Sequence, residues 1–217
     1  KKKKIIFILE LSSYQLEYSK LIRSKHAAIL NISPDHLERH KNIPNYINAK
    51  SKIFSAHEST DFSYIHFNNK YLKKFKNKKY ESKLIQINKL TCNHLLSKIN
   101  NKYFKSNSNI ENLSFAYKIA KNLNIKDKTI IKAVNKFKGL AHRQEIVISN
   151  KKILCVNDSK ATSFEASLQS LLNYNNIYWI LGGLPKYKDK FNLKKVKKKI
   201  VKAYIIGKKI SFFKNQS

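Results

Sequence analysis

At 217 residues the chain is long enough for one large or two small domains with a sizeable core. Its formal charge is +32, from 45 Lys and Arg against 13 Asp and Glu. Arginine, however, stands only at Arg23, Arg39 and Arg143, and the lysines come with many Asn, Ile, Phe and Tyr residues, the set written by AT-rich codons. Coding bias accounts for such a charge, so no nucleic-acid partner is expected of a chain short of arginine, the preferred reader of guanine and phosphate.

Lys1 to Leu9 pairs a basic start with an apolar run, but the run is short and Glu10 follows it, unlike a secretory signal. No stretch is long enough to span a bilayer, and of the two cysteines, Cys92 and Cys155, the latter lies in an apolar strand pattern and suits a buried, reduced thiol. A cytoplasmic monomer without a membrane partner is the expectation. The chain contains no methionine, which reads as an internal piece of a longer protein.

Ile5-Ile6-Phe7-Ile8-Leu9 is a continuous apolar run, suited to a strand buried on both faces of a parallel sheet. A helix is predicted from about Tyr14 to Arg23, then a strand at Ala27 to Leu30. After Pro34 come a short helical stretch and a longer one from about Pro44 to Phe54. Strands follow at Tyr64 to Phe67 and Leu84 to Ile87, with lysine-rich solvated chain between them. Helices are predicted at about 109–123 and 128–137. Gly139, the first glycine of the chain, sits where a helix C′ glycine belongs and marks a domain boundary, giving domains at 1–139 and 140–217. The second reads strand (145–148), strand (153–156), helix (162–172), strand (177–181), helix (193–200), strand (203–207). Strands alternating with helices predict an α/β fold with parallel sheets, the second domain in a Rossmann-like order.

Four clusters carry chemistry. Glu10-Leu11-Ser12-Ser13-Tyr14-Gln15-Leu16-Glu17 follows the first predicted strand, where a carboxylate is placed to hold Mg²⁺. Asn31 to His40, with Pro34 setting the turn, brings His36 past the second strand. Ala49-Lys50-Ser51-Lys52-Ile53-Phe54 lies on a helix. Asn157-Asp158-Ser159-Lys160-Ala161-Thr162 joins a strand to a helix, where an acid, an ammonium group and free backbone N–H groups surround one point and anions are favoured. Asp, Ser and Thr also cap helices without any ligand, and both readings stay open on this motif alone.

These motifs, in this order and together with Gly139-Leu140-Ala141-His142-Arg143-Gln144-Glu145, resemble the Mur ligases. Their form is similar to the branch of that family that adds D-glutamate to UDP-N-acetylmuramoyl-L-alanine. The resemblance implies a central ATP-binding domain of P-loop type, cut before its P-loop, followed by a truncated Rossmann-like domain. It implies ATP-dependent amide ligation in peptidoglycan synthesis. The substrate carboxylate takes the γ-phosphate to give an acyl phosphate, which the amine of D-glutamate then displaces. Carried over by position, Glu10 and His36 would bind Mg²⁺, and Lys50 would be carbamylated and serve the same metal. His36, Lys50 and Lys160 would be catalytic. Asn109, Asn112, Arg143 and Asp158 would contact ATP. Ser12 and Gln15 would meet the muramoyl substrate, and Thr162 and Lys186 D-glutamate. By spacing alone, Asn109 and Asn112 read as a solvated helix face, and Lys186 as surface charge.

A carbamate at Lys50 has a physical requirement: at a lysine pKa near 10.4 only about one amine in 10³ is neutral near pH 7, so desolvation or a nearby cation must lower it. The phosphate-cradling Gly-x-x-x-x-Gly-Lys-Ser/Thr loop is not in this sequence, whose first 138 residues hold no glycine. It is expected upstream of Lys1, and the 217-residue polypeptide alone is expected to be inactive. Two alternatives remain: another amide ligase of the same family, adding a diamino acid or acting on folate, and a non-catalytic basic binding module.

Overall fold

A computed structural model describes residues 5–20, 22–72, 81–185 and 190–216. The chain divides into two compact units, 1–88 and 89–217; the boundary expected at Gly139 falls inside the second.

The first unit holds a parallel sheet of three strands in the order β1-β2-β3: β1 (His26–Ile29), β2 (Phe62–His66) and β3 (Lys83–Ile87). The central strand has Tyr64 and Ile65 fully buried on its opposite faces, as a parallel strand covered on both sides requires. Three helices, α1 (Ser13–Tyr18), α2 (Leu37–His40) and α3 (Ile43–Ser51), belong to this unit. The core beneath them joins Ala27, Ile29, Ile32, Tyr46, Ile47, Phe54, Ile65 and Leu72. Asn42 caps α3 by accepting from Asn45 N at 2.9 Å, with Pro44 in its first turn, where a missing N–H costs nothing.

The apolar run Ile5 to Leu9 departs from expectation. It forms no strand, and its side chains are 59–91 % exposed. An apolar run becomes a buried strand only with a ladder partner and cover on both faces, and no described strand pairs with it. Glu10 is therefore an exposed residue after irregular chain, not the terminal residue of a strand.

In the second unit, α4 (Asn93–Leu96), α5 (Asn107–Asn122) and α6 (Asp127–Lys136) pack around Cys92, Leu95, Leu113, Tyr117, Ile130 and Val134. Cys155, expected to be buried, is only partly so, while Cys92 is buried; both are free thiols. An antiparallel hairpin, β4 (Glu145–Ser149) with β5 (Leu154–Asn157), leads to α7 (Phe164–Leu172). Ser163 caps that helix by accepting from Ala166 N at 3.3 Å, which leaves Thr162 ahead of the helix rather than opening it. A parallel pair, β6 (Ile177–Gly182) and β7 (Ile200–Ile206), follows, with α8 (Ile210–Lys214) after it. The helix expected at 193–200 is replaced by two short 3-10 turns, Leu193–Lys195 and Lys197–Lys199. Five of the seven residues from Leu193 to Lys199 are lysine, whose charges repel at helical spacing, and Val196 between the turns is fully buried.

Candidate active site

In the first unit the site is built on α1, the β1–α2 connection and α3. Ser12 and Gln15 form a capping box: Ser12 Oγ accepts from Gln15 N at 3.2 Å, and Gln15 Oε1 accepts from Ser12 N at 2.8 Å. Both side chains satisfy otherwise orphaned N–H groups of α1. The box aims Tyr14 at the next motif, where its hydroxyl lies 3.2 Å from His36 Nδ1. Its ring meets the imidazole edge-on, with centroids 5.2 Å apart. His36 itself has left-handed backbone (φ 55°), a costly state for a residue with a Cβ, and its N–H donates to Asp35 Oδ1 at 2.9 Å. Two carboxylates flank its ring, Asp35 Oδ2 at 3.6 Å from Nε2 and Glu38 Oε1 at 3.7 Å from Nδ1. His40, 4 % exposed, ties α2 to α1 through its Nε2 contact with Ser13 Oγ at 2.9 Å.

Lys50 lies in the last turn of α3, half-buried, with Nζ 5.3 Å from the centroid of the Tyr46 ring. Desolvation lowers its pKa, while the Asp35 and Glu10 carboxylates oppose that shift. This is the environment that a reactive neutral amine needs. The Tyr46 hydroxyl is pushed up to about 12, by burial first and then by Asp35 and Tyr14. Glu10, His36 and Lys50 thus share one electrostatic neighbourhood. Asp35, Tyr14 and Tyr46 belong to it too, and sequence reasoning passed over them. Asp35 stood beside His36 in a motif already singled out, and Tyr46 stands four residues before Lys50, the spacing that stacks side chains on one helix face. Among the described residues no three His, Cys, Asp or Glu side chains group as a metal site. The donors here are carboxylates and one imidazole around an ammonium group, and they suit a hard divalent cation only once Lys50 loses its positive charge.

In the second unit, two turns are stitched together. Gly139 takes φ 83° with the Tyr103 ring so near that an added Cβ would lie 3.0 Å from it. His142 (φ 62°) and Gln144 (φ 48°) bracket Arg143 in left-handed backbone. Asp158 Oδ1 accepts from Gln144 N at 3.0 Å, and its Oδ2 accepts from Ser170 Oγ. Lys160 N donates to His142 O at 3.0 Å, and Asn157 Nδ2 meets His142 Nδ1 at 2.9 Å. The Asp158 carboxylate therefore braces the turn, whereas Arg143, Lys160 and Thr162 stand exposed beside it.

The two asparagines part company. Asn109 is 5 % exposed and donates Nδ2 to Tyr103 O at 2.7 Å, while Asn112 is exposed. Asn109 also lines a cleft of about 410 Å³ with Tyr103, Tyr174, Gln144, Lys102 and Lys105. Burial raises the pKa of both tyrosines. The Asn173 Nδ2 at this cleft is buried without a partner. Nothing in the sequence marked Tyr174 or Asn173. Lys186 lies outside the described residues.

The sequence profile of the Mur ligase middle domain matches residues 1–128. The chain belongs to the Mur ligase family. This Mur ligase chain is 34 % identical over 225 residues to the UDP-N-acetylmuramoylalanine–D-glutamate ligase of Rickettsia felis, covering 95 % of the chain and 50 % of the relative. It is 35 % identical over 227 residues to the enzyme of the same name from Rickettsia prowazekii, covering 96 % of the chain and 51 % of that relative. The chain thus spans about half the length of the curated relatives it matches. Among solved structures, MurF from Acinetobacter baumannii superposes with a TM-score of 0.58 at 16 % identity, over 79 % of the chain and 42 % of the other. MurF from Thermotoga maritima in complex with ADP gives 0.56 at 13 %, over 83 % and 52 %. The α/β fold with parallel sheets expected from the sequence is the fold of this family. No helix among the described residues is long and apolar enough to cross a membrane.

Proposed function

We propose that this chain is part of an ATP-dependent ligase that joins D-glutamate to UDP-N-acetylmuramoyl-L-alanine in peptidoglycan synthesis. The observation that carries the reading is the desolvated Lys50 amine facing the Glu10 and Asp35 carboxylates beside His36. Capture of CO₂ requires a neutral amine, and desolvation of Lys50 favours that form. The names of the Rickettsia relatives support the D-glutamate branch over the other members of the family.

Lys50 as a carbamate, with Glu10 and His36, would hold Mg²⁺, which supplies neutralisation of the triphosphate and of the approaching substrate carboxylate. Arg143 and Lys160, exposed on the stitched turns, would bind the nucleotide and stabilise charge on the transferring phosphoryl group. Asp158 serves them by bracing the turn, and Asn109 by shaping the cleft, its amide being engaged. The exposed Asn112 is free to meet the nucleotide from solvent. Ser12 and Gln15 fix the start of α1 at the muramoyl end, and Thr162 and Lys186 would receive D-glutamate. The domains would run 1–139 and 140–217, in a monomeric cytoplasmic enzyme.

The test is a chimera in which residues 1–217 replace the matching half of the Rickettsia felis enzyme. Incubated with ATP, Mg²⁺ and UDP-N-acetylmuramoyl-L-alanine, it should incorporate radiolabelled D-glutamate and release phosphate in equal amounts. Incorporation of a diamino acid instead, or none from a folded chimera, would overturn the assignment.

A further inference from the structure

The amino ends of the three strands in the first unit are joined by side chains as well as by backbone. His57, 5 % exposed, follows the 3-10 turn Lys52–Phe54 and donates its N–H to Phe54 O at 3.2 Å. Its Nδ1 lies 2.9 Å from Ser63 Oγ, at the start of β2, and Ser63 Oγ lies 2.7 Å from Oγ of Ser82, the residue before β3. Its Nε2 lies 3.3 Å from Ser24 Oγ, two residues before β1. Ser63 and Ser82 are buried. One imidazole thus links all three strand starts through hydroxyls, and a neutral ring, with one N–H and one lone pair, completes that chain in either direction.

An imidazolium in the same place would be a buried charge with hydroxyls for partners, and such a charge is costly unless an opposite charge pairs with it. The nearby carboxylate is already engaged: Asp61 Oδ2 accepts from Arg23 Nε at 3.1 Å and from Glu58 N at 2.9 Å, and its Oδ1 from Lys25 Nζ at 3.3 Å. Burial, then Arg23 and His26, hold the His57 pKa below its ordinary value, with Asp61 opposing them. The other charged groups around the strand starts are turned elsewhere. Glu58 pairs with Arg23, His26 Nδ1 meets the Tyr64 hydroxyl at 2.9 Å, and Lys83 lies over the Phe62 ring. Lys52 donates to Glu17 O, and Glu81 is exposed. We propose that His57 is an acid-sensitive clasp: uncharged, it closes the amino ends of β1, β2 and β3 through Ser24, Ser63 and Ser82, and on taking up a proton it releases them. The open state takes the proton more readily than the closed one. The clasp is therefore complete above the ordinary imidazole value of about 6.5 and weakens as pH falls below it. The Asn31 to His40 segment follows β1, so the clasp and the candidate site share one sheet.

The test is amide hydrogen exchange of the 217-residue chain between about pH 7.5 and pH 5, corrected for intrinsic rates and without nucleotide, metal or substrate. The amides to follow are those of Phe62 and Lys83, which donate to Lys25 O and Asp61 O at 3.0 Å across the strand starts. Their opening constant should rise on acidification by up to about tenfold per pH unit, the limit for one proton taken up on opening. His57→Gln, whose amide can bond hydroxyls but does not titrate, should flatten that response. Unchanged protection in the wild-type chain overturns the proposal, and so does an equal pH response in a folded His57→Gln, which would move the effect to His26. Should that variant fail to fold, slow exchange of the His57 imidazole C2 hydrogen in the wild-type chain decides. Its midpoint should lie below about 6.5, and a midpoint at or above that value overturns the clasp. Because neither measurement needs ligase chemistry, failure of the enzymatic reading would leave this result as it stands.

Discussion

Ile65 and Ile8 both sit in apolar runs that sequence patterning reads as buried strands, and the structure sends them to opposite fates: Ile65 is 0 % exposed and Ile8 is 91 % exposed. Truncating each to alanine removes the same three carbons. At Ile65 the lost transfer energy is about 2.4 kcal/mol at about 0.8 per buried methylene. The cavity left between β2 and the helices, where Ala27, Ile29, Phe54 and Leu72 share the cluster, raises the cost to about 3–4 kcal/mol. With a urea m-value of about 2 kcal/mol/M, the midpoint for the first unit should fall by about 1.5–2 M. At Ile8 the change should stay within about 0.5 kcal/mol. The assay is urea unfolding followed by far-UV circular dichroism, with hydrogen exchange read on the β2 peptide to assign the transition. Equal destabilisation by the two variants would refute the reasoning, since it would mean that the run Ile5 to Leu9 is packed as a strand in the folded chain.

The remaining predictions concern charge and backbone. Trace labelling with acetic anhydride across pH, read per lysine by mass spectrometry, should place the Lys50 midpoint below the ordinary lysine range, because burial disfavours its ammonium form; a midpoint at or above 10.4 would contradict the desolvated pocket. Asp61 is 2 % exposed and held to about 2 by a backbone hydrogen bond from Glu58 N, then by Arg23 and Lys25. Its pKa is depressed in the folded state, so the stability it lends is complete above the ordinary value of 3.8 and is lost as pH falls from there towards 2. Acid titration of Asp61→Asn should show a flatter loss in that window than the wild type, and identical curves would remove Asp61 from the account. Gly139→Ala should destabilise the second unit by about 1–3 kcal/mol, since φ is 83° and the new Cβ meets the Tyr103 ring at 3.0 Å; a neutral variant by thermal melting would show that the turn relaxes freely.

The elements that could be read from sequence were those whose signals are local. Asn42 and Pro44 announce α3, Ser106 accepts from Asn109 N to cap α5, and the runs around Tyr64 and Ile85 give β2 and β3 within two residues. The misread segments depend on neighbours distant in sequence. Ile5 to Leu9 has every local mark of a buried strand and pairs with no strand among the described residues, while the stretch after Asn192 has helical spacing and too many like charges. The same holds at the candidate site. Glu10, His36, Lys50, Arg143 and Lys160 could be singled out as candidates because they stand in contiguous motifs. The part played by Asp158 was not, because its carboxylate acts through Gln144 N and Ser170, residues 14 and 12 positions away. Tyr174 reaches the cleft with Asn109 only through the fold of the hairpin and α7.

The central claim is that Lys50 enters the reaction as a carbamate, and replacing it within the Rickettsia chimera tests that claim most directly. Lys50→Arg, which keeps the charge but cannot be carbamylated, should lower ATP-dependent D-glutamate ligation by about 10²–10³-fold, in line with the loss of a group that stabilises developing charge. Lys50→Ala should be equally impaired and partly restored by millimolar short-chain carboxylates, which return anionic oxygens to the vacated space. Full turnover in either variant without additives would contradict the account.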